Sequence, residues 1–321
     1  MSIVPDTTQL KAFSSTIPGL QFAWDSVSLG ELKTCPRKYY YTIIEGWQPI
    51  LRSDHLTFGI HYHRALELYD HRKAEGQSHN DALDCAVKYC LEETVVRLPG
   101  DRWRPWTSQE PNKNRETLLR TVVWYLDQFE QDAAQTIILQ NSKPAVELSF
   151  RFEIDYQIDS QPALLCGHLD RIVEFTGKKF VLDHKTTKYN IDDRYFAQFN
   201  PDNQMSLYSL AAQIVYGEPV RGIIIDAAQV LVNSSRFLRG FTFRHKSETD
   251  EWLSEVNYWL AQAQHFAQSG VWPKNDKSCG FYGGCPFREV CASAPSFRET
   301  LLNASFRRRV WDPLIPRGTD V

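Results

Sequence analysis

Residues 164–187 read LLCGHLDRIVEFTGKKFVLDHKTT. Two runs rich in β-branched and aromatic residues flank Thr176, Gly177 and Lys178, so the spacing predicts a β-hairpin. A turn centred between Thr176 and Gly177 pairs Phe175 with Lys178 and, counting outward, Asp170 with Asp183. Such cross-strand neighbours have Cβ atoms about 5 Å apart, a distance at which two like charges repel. Lys185, two residues beyond Asp183, projects from the same face. Two carboxylates and one ammonium thus converge. That set suits phosphodiester hydrolysis, in which hard oxygen ligands hold Mg²⁺ or Mn²⁺ and a lysine orients or deprotonates the attacking water. A D-x-K by itself also suits a solvated strand edge; the register with Asp170 is what separates the two readings.

Upstream of the hairpin, AVELSFRFEID (residues 145–155) alternates strictly, with Val146, Leu148, Phe150, Phe152 and Ile154 on one side, as a half-buried strand does. Before Pro144 the pattern is helical, in TFGIHYHRALELYDHRK (57–73), in residues 81–96 and in RETLLRTVVWYLDQFEQD (115–132). The stretch SLGELKTCPRKYYY (28–41) sets Ser28 and Glu31 in capping-box spacing, which places Cys35 near the end of a short helix terminated by Pro36. Downstream, NPDNQMSLYSLAAQIVYG (200–217) offers Asn200 as N-cap, Pro201 as first helical residue and Gly217 as the stop. Gln204 and Tyr208, four apart, share a face of that helix and could reach a phosphate and a nucleic-acid strand.

The chain has 321 residues, 42% of them apolar, and a formal net charge of −3, so a nucleic-acid binder of this composition needs a local basic groove. Neither end carries a membrane-spanning run, and MSIVPDTTQL lacks the pattern of a signal peptide, which makes the cytoplasm the expected compartment. In that reducing setting the seven cysteines point to metal binding, redox chemistry or packing rather than to disulfides. Cys85, Cys90 and Cys166 read as small buried apolar residues. Cys279, Cys285 and Cys291 fall in CGFYGGCPFREVC (279–291), one ligand short of the usual closed metal centre. No G-x-x-x-x-G-K-[ST] nucleotide-binding loop is present, so any unwinding would come from a helicase or recombinase partner.

Several blocks, in order, resemble the PD-(D/E)XK nucleases, specifically the RecB-like branch that includes recombination nucleases, CRISPR-adaptation nucleases and phage exonucleases. FGIHYHRALE (58–67) is similar to its histidine-bearing helix, GHLDRI (167–172) to its G-x-x-D-R motif, VLDHKT (181–186) to its D-x-K-T motif and QMSLY (204–208) to its Q-x-x-x-Y helix. The resemblance implies a single restriction-endonuclease-like α/β domain over residues 1–321, with a mixed central sheet flanked by helices. It implies metal ligation by His63, Asp170, Asp183 and the backbone at His184, catalysis by Lys185 with the two aspartates, and substrate positioning by Gln204, Tyr208 and Arg171. His61 is the rival of His63, and Glu67 could orient the His63 ring.

The cluster-bearing members of that branch place one cysteine before the nuclease motifs and three after them. CPRKYY (35–40) and CPFREVC (285–291) resemble those segments, which implies a 4Fe-4S cluster on Cys35, Cys279, Cys285 and Cys291, with zinc as the lesser alternative. Residues 28–41 and 276–295 would then tie the chain ends together. The gap of five between Cys279 and Cys285 departs from the gap of two in many relatives. The expected substrate is DNA, with a path past Lys185 toward Arg37, Lys38, Tyr39, Arg171 and the tail SFRRRVW (305–311); a solvated tail is the alternative for Arg307, Arg308 and Arg309. The implied activity is a Mg²⁺- or Mn²⁺-dependent exonuclease acting on DNA ends or single strands. A CRISPR-adaptation-like endonuclease and a non-cleaving DNA-binding subunit are its rivals.

Overall fold

The computed structural model describes residues 11–51, 53–98, 102–217 and 219–315, so MSIVPDTTQL lies outside the described residues. In chain order the elements are β1 (Ala23–Trp24), α1 (Ser26–Thr34), α2 (Pro36–Tyr39), β2 (Trp47–Pro49), α3 (Asp54–Ala74), α4 (His79–Glu92), β3 (Val95–Leu98), β4 (Arg102–Pro105), α5 (Arg115–Gln128) and β5 (Gln135–Thr136). They continue with β6 (Val146–Ile158), β7 (Gln161–Phe175), β8 (Lys178–Thr187), α6 (Asp193–Ala197), α7 (Asn203–Tyr216), β9 (Gly222–Val230), β10 (Ser235–Thr242), α8 (Lys246–Ser269), α9 (Arg288–Ala292), α10 (Arg298–Ser305) and β11 (Phe306–Arg308). The chain groups into two compact units. One comprises Met1–Leu51, Ser149–His168 and His245–Val321, the other Arg52–Leu148 and Leu169–Arg244.

The second unit holds a mixed sheet in the order β5, β7, β8, β9, β10. Only the β8–β9 pair is parallel; the other pairs are antiparallel. All nine residues of β9 are buried, as expected of a strand covered on both faces. On one face Ala228, Val230 and Phe237 pack against Phe58, Tyr62 and Leu66 of α3, Ala82 and Ala86 of α4, and Leu118, Val122 and Tyr125 of α5. The 3.6-residue spacing of those apolar side chains on each helix is what lays them in one stripe toward the sheet. Helix α7 covers the opposite face of β8 and β9, with Met205, Leu207, Ala211 and Ala212 buried.

In the first unit β1 runs parallel to the early part of β7, Ala23 beside Leu164. Strands β2 and β11 pair antiparallel, and Tyr41, Trp47, Phe287, Val290, Leu302 and Phe306 form a core beneath them.

Local chemistry moves three expected boundaries. Asp25, not Ser28, caps α1: the Ser28 N–H donates to Asp25 Oδ1 at 2.8 Å and the Ser28 hydroxyl accepts from the Asp25 N–H at 3.2 Å. Ser28 is therefore the third residue of the box. Helix α7 is capped by Asp202, whose Oδ1 accepts from Met205 N–H at 2.9 Å, rather than by Asn200. Helix α4 ends at Glu92, short of Val96, because Val95 and Val96 pair with Pro105 and Arg104 as a strand.

Candidate active site

The β7–β8 turn carries Thr176 at φ 51° and Gly177 at φ 72°. Two left-handed residues make the two-residue loop whose twist matches a hairpin, and glycine takes the second position without Cβ strain. The ladder runs from Phe175↔Lys178 to Arg171↔Leu182, the register that the sequence predicts, with Asp170 and Asp183 as the next positions.

Both carboxylates are buried, Asp170 at 5% exposure and Asp183 at 1%. A buried carboxylate needs partners. Asp170 Oδ2 accepts the His184 N–H at 2.9 Å and lies 3.2 Å from His63 Nδ1. Burial would raise the Asp170 carboxyl, but the hydrogen-bonded His63, with His184 and Lys185, outweighs it and holds the group well below the usual carboxylate range. Burial would lower His63, and the Asp170 charge and hydrogen bond raise it instead.

Asp183 has Lys185 Nζ at 2.5 Å from its Oδ2. Burial pushes its carboxyl up to about 6 against the pull of Lys185, and the nearby Asp170 charge adds to the rise. Lys185 Nζ also donates to Gln204 Oε1 at 2.8 Å, and Gln204 Nε2 donates to the Tyr208 hydroxyl at 3.0 Å. The i, i+4 spacing on α7 thus extends the cation into a chain from Asp183 to Tyr208.

The side chains next to these face the other way. The His184 ring lies against Tyr62 and Tyr125, at centroid distances of 6.4 and 5.6 Å, and burial keeps it neutral, its pKa far below the ordinary value. Its amide, donating to Asp170, is the backbone contact at this position. Arg171, expected beside substrate, is 7% exposed and pairs with Asp70 at 3.3 Å while donating to Thr136 Oγ1 at 2.8 Å and to the Ala134 carbonyl at 3.3 Å. His61 Nδ1 lies 2.8 Å from the Tyr89 hydroxyl, and Glu67 pairs with Arg64.

A residue outside the sequence reading joins the set. Ligand atoms of His63, Glu147 and Asp170 all lie within 4.8 Å of one another. Octahedral Mg²⁺ with bonds of about 2.1 Å sets neighbouring ligands about 3 Å and opposite ones about 4.2 Å apart, so these donors need only small movements. An imidazole and two carboxylates suit Mg²⁺ or Mn²⁺, and the donor set fits such an ion. In sequence Glu147 is one of the polar residues of an alternating strand, and nothing in the alternation marks it.

The cysteine segments belong to the first unit. Cys35 is the C-cap of α1, and its Sγ accepts the Asn275 N–H at 3.3 Å. The Cys285 N–H donates to the Cys279 carbonyl at 3.0 Å, which closes the five-residue gap into a loop. Burial foremost raises the Cys285 and Cys291 thiols; Cys279 and Cys35 add to the first, Cys285 and Cys35 to the second. Every one of the four is a free thiol. The neighbouring cations are largely committed: Arg37 donates to the Trp272 carbonyl at 2.7 Å, Lys38 pairs with Glu31 at 2.8 Å and Tyr39 is fully buried. Arg308 belongs to β11, 2.9 Å from Glu45 and 4.3 Å over the Trp47 ring.

The β7–β8 hairpin and α7 thus gather Asp170, Asp183, Lys185, Gln204 and Tyr208. The sequence matches the PD-(D/E)XK nuclease superfamily over residues 27–292, and the chain belongs to that superfamily. Among solved structures it is similar to that of a candidate exonuclease from Eubacterium rectale, at 12% identity and a TM-score of 0.45, over 85% of this chain and 94% of that one. It is also similar to the structure of SSO0001, at 13% identity and a TM-score of 0.31, over 55% and 70% of the two chains. No curated protein matches the sequence. No described helix is long and apolar enough to cross a membrane.

Proposed function

We propose that the chain is a Mg²⁺- or Mn²⁺-dependent deoxyribonuclease of the RecB-like branch, degrading DNA from ends or single strands in recombination or repair in the cytoplasm. The observation that carries this reading is the chain Asp183–Lys185–Gln204–Tyr208 beside the His63–Asp170 pair. A buried carboxylate pair with a lysine held against one member supports proton handling at a phosphodiester more than it supports binding alone. His63, Asp170, Asp183 and the backbone carbonyl at His184 would hold the metal, while the His184 N–H steadies Asp170. When bound, Mg²⁺ or Mn²⁺ lowers the pKa of its water and neutralises charge on the scissile phosphate. Lys185 orients that water through its ammonium Nζ; it would accept the water's proton there only after passing one of its own to Asp183. Gln204 fixes the lysine, and Tyr208 offers a hydroxyl toward the phosphate. We propose a helicase or recombinase as the partner that would supply any ATP-driven unwinding of the substrate.

The test is cleavage of end-labelled linear and circular DNA, single- and double-stranded, with Mg²⁺ or Mn²⁺. Linear substrates should shorten from one end while circles survive. Cut circles would move the reading to an endonuclease of the CRISPR-adaptation kind, and bound but uncut DNA to a non-cleaving assembly subunit.

We further propose that Cys35, Cys279, Cys285 and Cys291 hold a 4Fe-4S cluster that fastens residues 28–41 to residues 276–295. The hydrogen bonds that join Cys35 to Asn275 and Cys285 to Cys279 support it, and a centre closing so long a loop restricts the unfolded chain strongly. Cys35→Ala is expected to reduce iron and acid-labile sulfide to near zero per chain and to lower the unfolding midpoint. Anaerobically purified wild type containing neither iron nor sulfide would sink the cluster and leave the nuclease reading standing.

A further inference from the structure

We propose that the sheet face turned away from Asp183 and Lys185 carries a second site for single-stranded DNA, a row of phenylalanine rings that stack bases, flanked by Arg221 and Lys178. It lies outside the catalytic site and rests on the nuclease reading above only for the identity of its occupant.

Strand alternation puts Phe180 with Leu182 and His184 on one face of β8, and Asp183 with Lys185 on the other. Phe175 of β7 and Phe241 of β10 join Phe180 on the first face. The Phe175 and Phe241 rings are stacked at 5.9 Å, and Phe180 meets them edge-on at 6.3 and 5.8 Å. Phe243 extends the row, 6.4 Å from Phe241 and within 7° of parallel. It lies over Gly222, where a Cβ would stand 2.6 Å from its ring, so glycine is what lets this ring settle on the sheet. Helices α3, α4 and α5 cover this face around Ala228, Val230 and Phe237, whereas the row sits at the end beside the β7–β8 turn. Phe180 is buried, but Phe241 and Phe243 are 45% and 42% exposed. Adjacent half-exposed rings of this kind mark a binding surface.

The charges at the edges of the row decide its occupant. The Arg221 guanidinium lies 5.3 Å over the Phe243 ring. Lys178, exposed at the turn, pairs with Phe175 in the ladder and so shares its face. Glu174 pairs with Lys179 and lies on the opposite face, so it does not neutralise this one. An apolar protein surface laid on the rings would bury two cations without counter-charges, which is costly. A single strand of DNA supplies bases for the ring faces and phosphates for the cations, and every base has a face to stack. A duplex keeps its base faces covered, so the row selects single strands. Phe180 precedes Asp183 by three residues, about 10 Å along β8. A strand held here is near the catalytic face without entering it, and the site acts as an anchor that raises the local concentration of its own free end.

The experiment is fluorescence anisotropy of labelled oligo(dT) of about 30 nucleotides with the full-length protein in chelator, where nothing is cut. Wild type is compared with Phe241→Leu and Phe243→Leu, which keep apolar bulk without a ring, with Arg221→Gln, and with Tyr258→Ala as an exposed aromatic control on α8. Each leucine variant should bind about 5-fold or more weakly, the lower end of the loss for one stacked base. Arg221→Gln should flatten the salt dependence by about one unit in the log–log slope, as loss of one phosphate contact does. Tyr258→Ala should match wild type, and an abasic strand of equal length should bind wild type and the leucine variants alike. Wild-type affinity for oligo(dT) in both leucine variants, with wild type cutting DNA, overturns this site alone; Phe243→Leu, at the rim, decides should Phe241→Leu not fold. Equal weakening on the abasic strand overturns stacking as its basis. Wild type that self-associates, and that Phe243→Leu dissociates at unchanged oligo(dT) affinity, makes the row a contact between copies and overturns the DNA site. Wild type that neither binds nor cuts DNA overturns it together with the nuclease reading.

Discussion

Asp183→Ala and Lys185→Ala are each expected to lower DNA cleavage by about three orders of magnitude, the scale of a lost general acid–base or charge-stabilising group. The two residues act as one device. Lys185 Nζ is 2.5 Å from the Asp183 carboxylate and 2.8 Å from Gln204, so removing either partner leaves the other misdirected. The double variant should therefore be little worse than the poorer single variant, because groups that work as a unit do not add. Gln204→Ala, which loosens the lysine without removing it, should cost about 10-fold, within the range seen for groups that orient a reacting one. Steady-state cleavage of end-labelled DNA measures all four, with DNA affinity and thermal unfolding as controls for binding and fold. Wild-type rates in Lys185→Ala would remove the lysine from the mechanism and leave Asp170 and Asp183 as ion holders only.

The hairpin was legible because its register depends on local chemistry. Two residues able to take positive φ fixed the turn, and the turn fixed which carboxylates follow the ladder. The Gln204–Tyr208 contact was legible for a similar reason, as helical spacing places i and i+4 on one face whatever surrounds them. Glu147 was not legible, since its place beside His63 depends on one left-handed residue in an otherwise regular strand and on a helix more than 80 positions away in the chain. Arg171 was misplaced for a different reason. It follows Asp170 in sequence, but alternation turns it to the opposite face, where Asp70 and Thr136 take its guanidinium. The segment from Phe306 to Trp311 was read as part of a DNA path, with a solvated tail as the alternative for its arginines, yet Phe306 to Arg308 pair with β2, a contact with no local signature.

Lys113→Met is expected to stabilise the protein by about 3 kcal/mol at about pH 6, with the gain shrinking toward zero by about pH 10. Lys113 is 1% exposed and its Nζ has no hydrogen-bond partner among the described residues. Burial alone pushes its ammonium down to about 7. That shift corresponds to about 5 kcal/mol, and the Phe58 ring returns about 2 kcal/mol as a desolvated cation–π contact. The ring centroid lies 4.1 Å from Nζ, close enough for that contact, yet the balance still opposes the buried charge. The pH dependence has a definite sign. Between about 7 and about 10.5 the unfolded chain holds a proton that the folded chain has lost, so wild-type stability rises with pH across that window. Below it both states are charged and the folded state carries the full penalty. Methionine keeps the length and apolar stem without the charge, so the variant should show no such rise. Urea unfolding of both proteins at about pH 6 and about pH 9.5 tests this. A stability difference that stays constant between the two would mean that Lys113 is not the titrating group, and a less stable variant at both would mean that the ammonium is held by contacts worth more than its burial costs.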